Sequence, residues 1–121
     1  PMTPLHGITV VDMTAYLMGP FATQILGDMG ADVIKIEPPE GDVVRAIGPA
    51  RSEGMGGFFQ QNNRNKRSVV LDVKQPTGRD AVLRLAARAD VFVYSVRPQA
   101  MARLGLAYEA VSKANPGIVY V

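Results

Sequence analysis

The chain has 121 residues, 47% of them hydrophobic, with 12 Gly and 9 Pro but neither Cys nor Trp. That is enough for one domain with its own core, and it argues against a disordered tail or two domains. Without cysteine a disulfide scaffold, a thiolate metal site and a Cys nucleophile are excluded, and the composition is consistent with a reducing compartment. The formal net charge of +2 is unevenly placed, Pro1–Gly57 carrying −4 and Phe58–Val121 carrying +6.

The longest apolar runs, such as Val91–Tyr94, fall far short of the ~20 residues that cross a bilayer. No basic segment leads into an apolar one at the start. We therefore expect a soluble, cytoplasmic protein. The chain opens at Pro1 rather than Met and stops at Val121 inside Gly117-Ile118-Val119-Tyr120-Val121, which reads as mid-strand, so we expect a cut rather than an ending.

Ile8–Asp12 is a short β-branched run of strand length. Gly19-Pro20 opens a helix that runs to Met29, with Phe21, Gln24/Ile25 and Leu26/Met29 at helical spacing, Pro20 in the first turn and Gly30 in the left-handed position past the end. Asp32–Glu37 is the second strand, so the first thirty-seven residues read as a parallel βαβ unit. Pro38–Gly57 has no periodicity and reads as a long surface loop, and Phe58–Asn62 as one helical turn. Ser68–Val73 is the third strand. Pro76 starts a helix to about Ala89 with Ala81, Val82, Leu85 and Ala86 on its apolar face. Val91–Tyr94 is the fourth strand, Pro98–Leu104 a helix stopped by Gly105, Tyr108–Ala114 a helix stopped by Asn115-Pro116, and Ile118–Val121 a fifth strand. This order predicts an α/β, Rossmann-like fold over residues 1–121, with a mostly parallel sheet of about five strands and flanking helices.

Ligands of open parallel sheets sit beyond the carboxyl ends of the strands. Here those segments are Met13–Gly19, Pro38–Asp42, Lys74–Pro76 and Ser95–Pro98, with Lys74 and Arg97 as their cations. No G-x-G-x-x-G follows the first strand and no G-x-x-x-x-G-K-[ST] occurs, which argues against a standard dinucleotide site and a P-loop. His6 is the single histidine, so a Ser-His-Asp or His-based metal site is hard to build, and we expect no metal. Nine of the thirteen cations are arginine, whose planar fork suits phosphate or carboxylate. Arg79, Arg84 and Arg88 are better read as solvated helix faces. Asn62–Ser68 is the densest basic patch; it suits a loop holding a phosphate or an acidic partner surface, or a solvated loop. It lacks the interleaved aromatics of a nucleic-acid binder. Arg97 and Arg103 each read as a ligand contact or as a helix-end cation.

Taken together, Gly7–Asp12, Gly19–Gln24, Leu26–Asp42, Asn63–Lys74, Arg97-Pro98 and Arg103–Leu106 resemble the family III CoA-transferases, the group of formyl-CoA transferase, the carnitine CoA-transferases and α-methylacyl-CoA racemase. The resemblance covers essentially the whole chain but only the N-terminal part of the family's length. It implies a Rossmann-like domain that binds coenzyme A as a thioester, in a homodimer whose chains interlock, with no nucleic-acid or membrane partner. By position, the CoA contacts implied are Leu17 and Met18 after the first strand, Leu71 and Lys74 around the third, Ser95, Val96 and Arg97 after the fourth, and Arg103 with Leu104. The Asn63–Arg67 patch would flank the same pocket or a subunit contact.

This chain has Pro38 where the family often has a basic residue, Tyr94-Ser95 where many members read Glu-Asn, Gln99 for Gly, and Leu17 where some transferases place a Gln that assists chemistry. The implied mechanism is attack of an Asp carboxylate on the thioester. That Asp would lie beyond Val121, so no catalytic residue is assigned here. Asp12 and Asp42 lie near the strand ends without a visible activating partner and read as turn or cap residues. The resemblance leaves three functions: the CoA-binding part of a transferase, inactive alone; a stand-alone CoA-binding or interaction module; and a racemase-type member. An unpaired apolar edge at Ile118–Val121 adds a reason to expect pairing between copies.

Overall fold

The structure, a computed structural model, describes residues 2–121. Strands β1 (Thr9–Met13), β2 (Asp32–Glu37), β3 (Lys66–Val70), β4 (Val91–Tyr94) and β5 (Val119–Tyr120) form one sheet in the order β3-β2-β1-β4-β5. Every neighbouring pair is parallel. The connections hold α1 (Met18–Asp28), α2 (Gly57–Asn62), α3 (Pro76–Ala86), α4 (Pro98–Leu104) and α5 (Tyr108–Ala114), with one 3₁₀ turn at Val43–Ala46. The chain steps outward from β1 to β3 and then returns to the other side of β1 for β4 and β5. The reversal between β1 and β4 is the topological switch of a doubly wound sheet.

Proline and glycine set several boundaries as the sequence predicts. Pro76 and Pro98 occupy first-turn positions of α3 and α4, where a missing N–H costs nothing. Gly105 ends α4 in the left-handed conformation with φ 74°. Asn115 stops α5 and donates its side-chain amide to the carbonyls of Ala86 and Ala89, tying that end to the end of α3.

Six elements differ in their bounds from the sequence reading: α1 runs Met18–Asp28 rather than Gly19 to Met29, α2 begins at Gly57 rather than Phe58, and the other four are these. β1 lies one residue later than Ile8–Asp12, and β5 is shorter than Ile118–Val121, although backbone bonds from Val119 to Asp90 and between Val121 and β4 continue the pairing. Helix α3 ends at Ala86 rather than Ala89. The third strand is Lys66–Val70, not Ser68–Val73. β3 lies at the edge of the sheet, where one side needs no partner, so its polar opening Lys66-Arg67-Ser68 pairs with β2, while Leu71, whose N–H still reaches the Glu37 carbonyl, and Val73 pack on the main core past the strand's end.

The two faces of the sheet are packed differently. On one side Val11, Ile36 and Phe92 meet Val82 and Ala86 of α3, Met101 of α4 and Val111 of α5 in the main core. On the other, α1 covers a smaller cluster of Val10, Val33 and Ala31. Helix α1 turns Pro20, Thr23, Gln24 and Gly27 inward. The apolar residues whose spacing marks the helix, Phe21, Ile25 and Met29, stay exposed. The cause is beneath the helix: Thr23 donates to Asp12, and Gln24 accepts the Arg64 N–H. These polar partners, together with Leu26 on the Val10 cluster, orient the helix.

Candidate functional site

Buried parallel strands ordinarily read as apolar runs, and β2 breaks that rule with Lys35 and Glu37. Register puts Asp12 beside Lys35 and Lys35 beside Ser68, so the three strands carry one polar row on the α1 side of the sheet. Asp12, Lys35, Glu37 and Asp42 are all buried, and each finds partners. Lys66 Nζ lies 3.0 Å from Asp12 Oδ2 and donates to the Pro20 carbonyl and Asn63 Oδ1. Asp12 also accepts from the backbone and hydroxyl of Thr14 and from the Thr23 hydroxyl. Lys35 Nζ donates to the Thr14 carbonyl at 2.9 Å and stands 2.8 Å from Asp42 Oδ2. That last contact is electrostatic: Asp42 Oδ2 accepts no aligned hydrogen bond, while Oδ1 caps the 3₁₀ turn through the Val44 N–H.

Glu37 anchors the other half of this network. Arg45 grips both its oxygens, Nε to Oε2 at 2.8 Å and Nη2 to Oε1 at 2.7 Å, while Ser68 and the Asp42 N–H donate as well. Burial pushes the Glu37 carboxyl up, but these donors outweigh it and hold it at about 2. Arg45 also stacks 3.7 Å above the Phe59 ring and donates to the Gly54 carbonyl, so one side chain orders much of the Pro38–Gly57 loop. For Lys66, burial pulls the ammonium below its usual range, against the pull of Asp12.

Above this network, at the carboxyl ends of the strands, lies a cavity of about 240 Å³, walled by Met13, Thr14 and Ala15 after β1, Lys35 to Pro38 and Asp42 after β2, Leu71, Val73 and Lys74 after β3, and Val96 and Leu104. Lys35 and Asp42 therefore tie the β1–α1 loop to the β2 loop, two walls of the cavity. Tyr16 in the first of these loops has φ 68°, a costly conformation for a residue with a side chain. Its N–H is directed at Asp42 Oδ1 at 3.4 Å. A larger, shallow hollow of about 580 Å³ runs along the β3 edge beside Arg84 and Arg88, away from the strand ends.

Of the residues singled out from sequence, Leu71, Lys74, Val96 and Leu104 line the cavity. Ser95 adjoins it and accepts the Ala15 N–H on its hydroxyl at 3.0 Å. Arg97 is extended before Pro98 and leads into α4; Arg103 lies in that helix's last turn. Lys74, Arg97 and Arg103 are exposed and have no side-chain partner among the described residues. Leu17 and Met18 sit apart, beside a separate hollow with Phe21 and Phe58.

Two sequence readings are corrected. The Asn62–Ser68 patch is not a loop free to hold a phosphate or an acidic partner: Arg64 pairs with Asp28 at 2.7 Å, Arg67 with Asp32 at 2.6 Å and Lys66 with Asp12, so its charge is met within the chain. Asp12 and Asp42 do have cationic partners. These pairings join residues distant in sequence; the visible signal was the pair of charges inside β2, which a buried strand admits only if they are partnered.

A doubly wound parallel sheet with a mainly apolar cavity at its strand ends is the architecture in which open α/β domains place their ligand sites, and Lys74 lines that cavity without a side-chain partner among the described residues. Residues 5–121 match the model for CoA-transferase family III, and the chain belongs to that family. It is 44% identical over 120 residues to the mouse succinyl-CoA:glutarate CoA-transferase and 43% identical over 121 residues to the acetyl-CoA:oxalate CoA-transferase of Acetobacter aceti. It covers 98% and 99% of its own length there but only 28% and 31% of theirs. A crystal structure of a CAIB/BAIF family protein from Brucella suis superposes with a TM-score of 0.94 at 41% identity, covering 99% of this chain and 33% of that one. The chain thus spans under a third of the length of these curated relatives.

Proposed function

We propose that this chain is the CoA-binding N-terminal part of a family III CoA-transferase, acting in the cytoplasm as a homodimer on dissolved CoA thioesters. The observation that carries the reading is the strand-end cavity, apolar within and edged by Lys74, in a chain matched by the family over residues 5–121. Leu71, Val96 and Leu104 offer an apolar slot for the adenine, while Lys74, Arg97 and Arg103 are free to meet the phosphates. Leu17, Met18 and Ser95 stand as proposed contacts on the resemblance alone, Ser95 beside the cavity through Ala15 and the other two bordering the separate hollow next to Phe21.

The reaction implied for the family begins with an Asp carboxylate attacking the acyl thioester, so that a mixed anhydride forms and CoA leaves as the thiolate. Neither aspartate near the cavity is suited to that attack. Asp12 is fully buried and spends both oxygens on four donors, and Asp42 caps a turn beside Lys35. We therefore propose that the chain alone binds CoA without turning it over. Calorimetry with CoA, dephospho-CoA and duplex DNA tests this. CoA should bind, and Lys74→Ala should weaken it about tenfold or more, the loss of one charge-assisted contact, at an unchanged melting temperature. No heat with CoA, or an equal affinity for DNA, refutes the reading.

A further inference from the structure

β3 ends one side of the sheet, and no described residue pairs with its outer edge. The N–H of Leu71 turns inward to the Glu37 carbonyl. Consecutive residues of a parallel strand direct their backbone groups to opposite sides, so those of Ser68 and Val70 face outward. Both residues are exposed, Val70 at 57%. A bare edge is ordinarily guarded by proline or by charges that project from it. Here no proline interrupts Lys66–Val70, and the two charges at its start are engaged elsewhere, Lys66 with the buried Asp12 and Arg67 with Asp32. Beside this edge, on the α3 face, lies the hollow of about 580 Å³. Val69, Leu71, Ala81 and Leu85 make it apolar, while Arg84 and Arg88 line it with no side-chain partner among the described residues. The acids nearest them in sequence are occupied: Asp80 faces Arg79, and Asp90 accepts the Thr9 N–H.

We propose that the β3 edge and its hollow form a docking site for an extended acidic segment of a partner protein, which joins the sheet as a sixth strand. The site is separate from the CoA reading, since the hollow lies away from the strand ends. Three features set the chemistry of the occupant. The outward N–H and C=O groups of Ser68 and Val70 require another backbone in strand conformation, as in recognition by strand addition. Alternate side chains of that strand, roughly 6.8 Å apart at the ordinary strand rise, fall on the α3 face, where a large apolar side chain fills the hollow. Its neighbours on that face meet Arg84 and Arg88, whose planar guanidinium groups suit carboxylates. Two uncompensated cations beside an apolar floor select an acidic segment over a basic one by charge complementarity. Other occupants satisfy fewer of these groups. Inorganic phosphate would meet the arginines but leave Ser68 and Val70 unpaired. A second copy joined edge to edge would bring the Arg84 and Arg88 of both copies to the same face of the joined sheet, like charge towards like.

Amide NMR of the 121-residue chain, titrated with the end-blocked peptide Thr-Leu-Thr-Glu-Thr-Glu-Thr, tests this. That peptide sets Leu and both Glu on one face of a strand. Binding should move the Ser68 and Val70 amide signals and the side-chain N–H signals of Arg84 and Arg88, and should slow exchange of the Val70 amide. Val70→Pro removes an outward N–H that an edge strand can spare and should abolish binding. Arg84→Gln and Arg88→Gln together should weaken binding at least tenfold by removing two charge-assisted contacts, at unchanged thermal melting and unchanged CoA affinity. This pair decides the matter even where Val70→Pro lowers stability. The peptide with Lys in place of both Glu should not bind. An unmoved spectrum at millimolar peptide, equal binding of the Lys peptide, or full binding by the arginine variant overturns the site. Inorganic phosphate that shifts the arginine signals as far as the peptide does, with Ser68 and Val70 unmoved by either, leaves an anion site alone and overturns strand addition. Ser68 and Val70 signals that change with protein concentration in the absence of peptide give the edge to a second copy and overturn the acidic partner. Uptake of the peptide by the 121-residue chain but refusal by the protein at the length of its relatives gives the edge to the protein's own remainder, which also overturns an outside partner.

Discussion

Replacing Glu37 by Gln keeps the shape of the side chain and removes its charge, which isolates the electrostatic part of the clamp on Arg45. In the native fold the carboxylate accepts four hydrogen bonds, two of them from Arg45. Gln presents an NH₂ at one of the two positions, so one donor among Arg45, Ser68 and Asp42 faces another donor. The depression of the carboxyl from its usual 4.5 to about 2 corresponds to roughly 3 kcal/mol of preference for the charged form. Arg45 is about a quarter exposed and solvent screens it, which brings the expected loss to about 2 kcal/mol. The sign follows from linkage: a carboxyl depressed by folding stabilises the fold above its unfolded value, and that stabilisation fades as pH falls towards 2. Urea unfolding at pH 7, 5, 3 and 2 should show a gap of about 2 kcal/mol between wild type and Glu37→Gln at the two higher pH values, narrowing at pH 3 and nearly closed at pH 2. Equal midpoints at pH 7, or a gap that persists undiminished at pH 2, refutes the assignment of Glu37 as a charged clamp.

Lys66→Met leaves Asp12 buried without its cation and should cost about 3–5 kcal/mol by urea unfolding. Asp12→Asn in the same chain should recover part of that loss, and an additive double variant would show that the two are not coupled. Gly78→Ala should lower stability by more than about 2 kcal/mol, because a Cβ there would fall 2.0 Å from the Asp72 carbonyl oxygen; a melting temperature within a degree of wild type would contradict the close approach of α3 to the chain after β3.

How much of this was legible beforehand varies with how local each signal is. Strands β2 and β4 and helices α4 and α5 have the predicted bounds, since their limits are written in adjacent residues: Gly30, Pro98, Gly105, Asn115. The parallel sheet followed from the alternation of strand and helix, and a cavity lies at the strand ends where that topology places ligands. The start of β3 was missed because an edge strand tolerates polar residues that a central one excludes, so Lys66-Arg67 read as loop. The face of α1 is decided by what Asp12 and Arg64 present to it, which no periodicity in the helix itself records. The cavity wall was half visible, through Leu71, Lys74, Val96 and Leu104. Its floor was not, because Lys35–Asp42, Lys66–Asp12 and Arg45–Glu37 are pairings between separate elements.

The unequal covering of the sheet means that its two sides answer to different solvents. The side under α3, α4 and α5 is held by apolar burial, which cooling weakens and sulfate strengthens. The side under α1 leans on charges whose dehydration becomes less costly as temperature rises. Acid near pH 2, which discharges Glu37, should therefore loosen the Arg45-bound loop while the layer under α3, α4 and α5 keeps its amide protection, so that exchange of backbone protons would divide this small domain into two parts with separate opening behaviour.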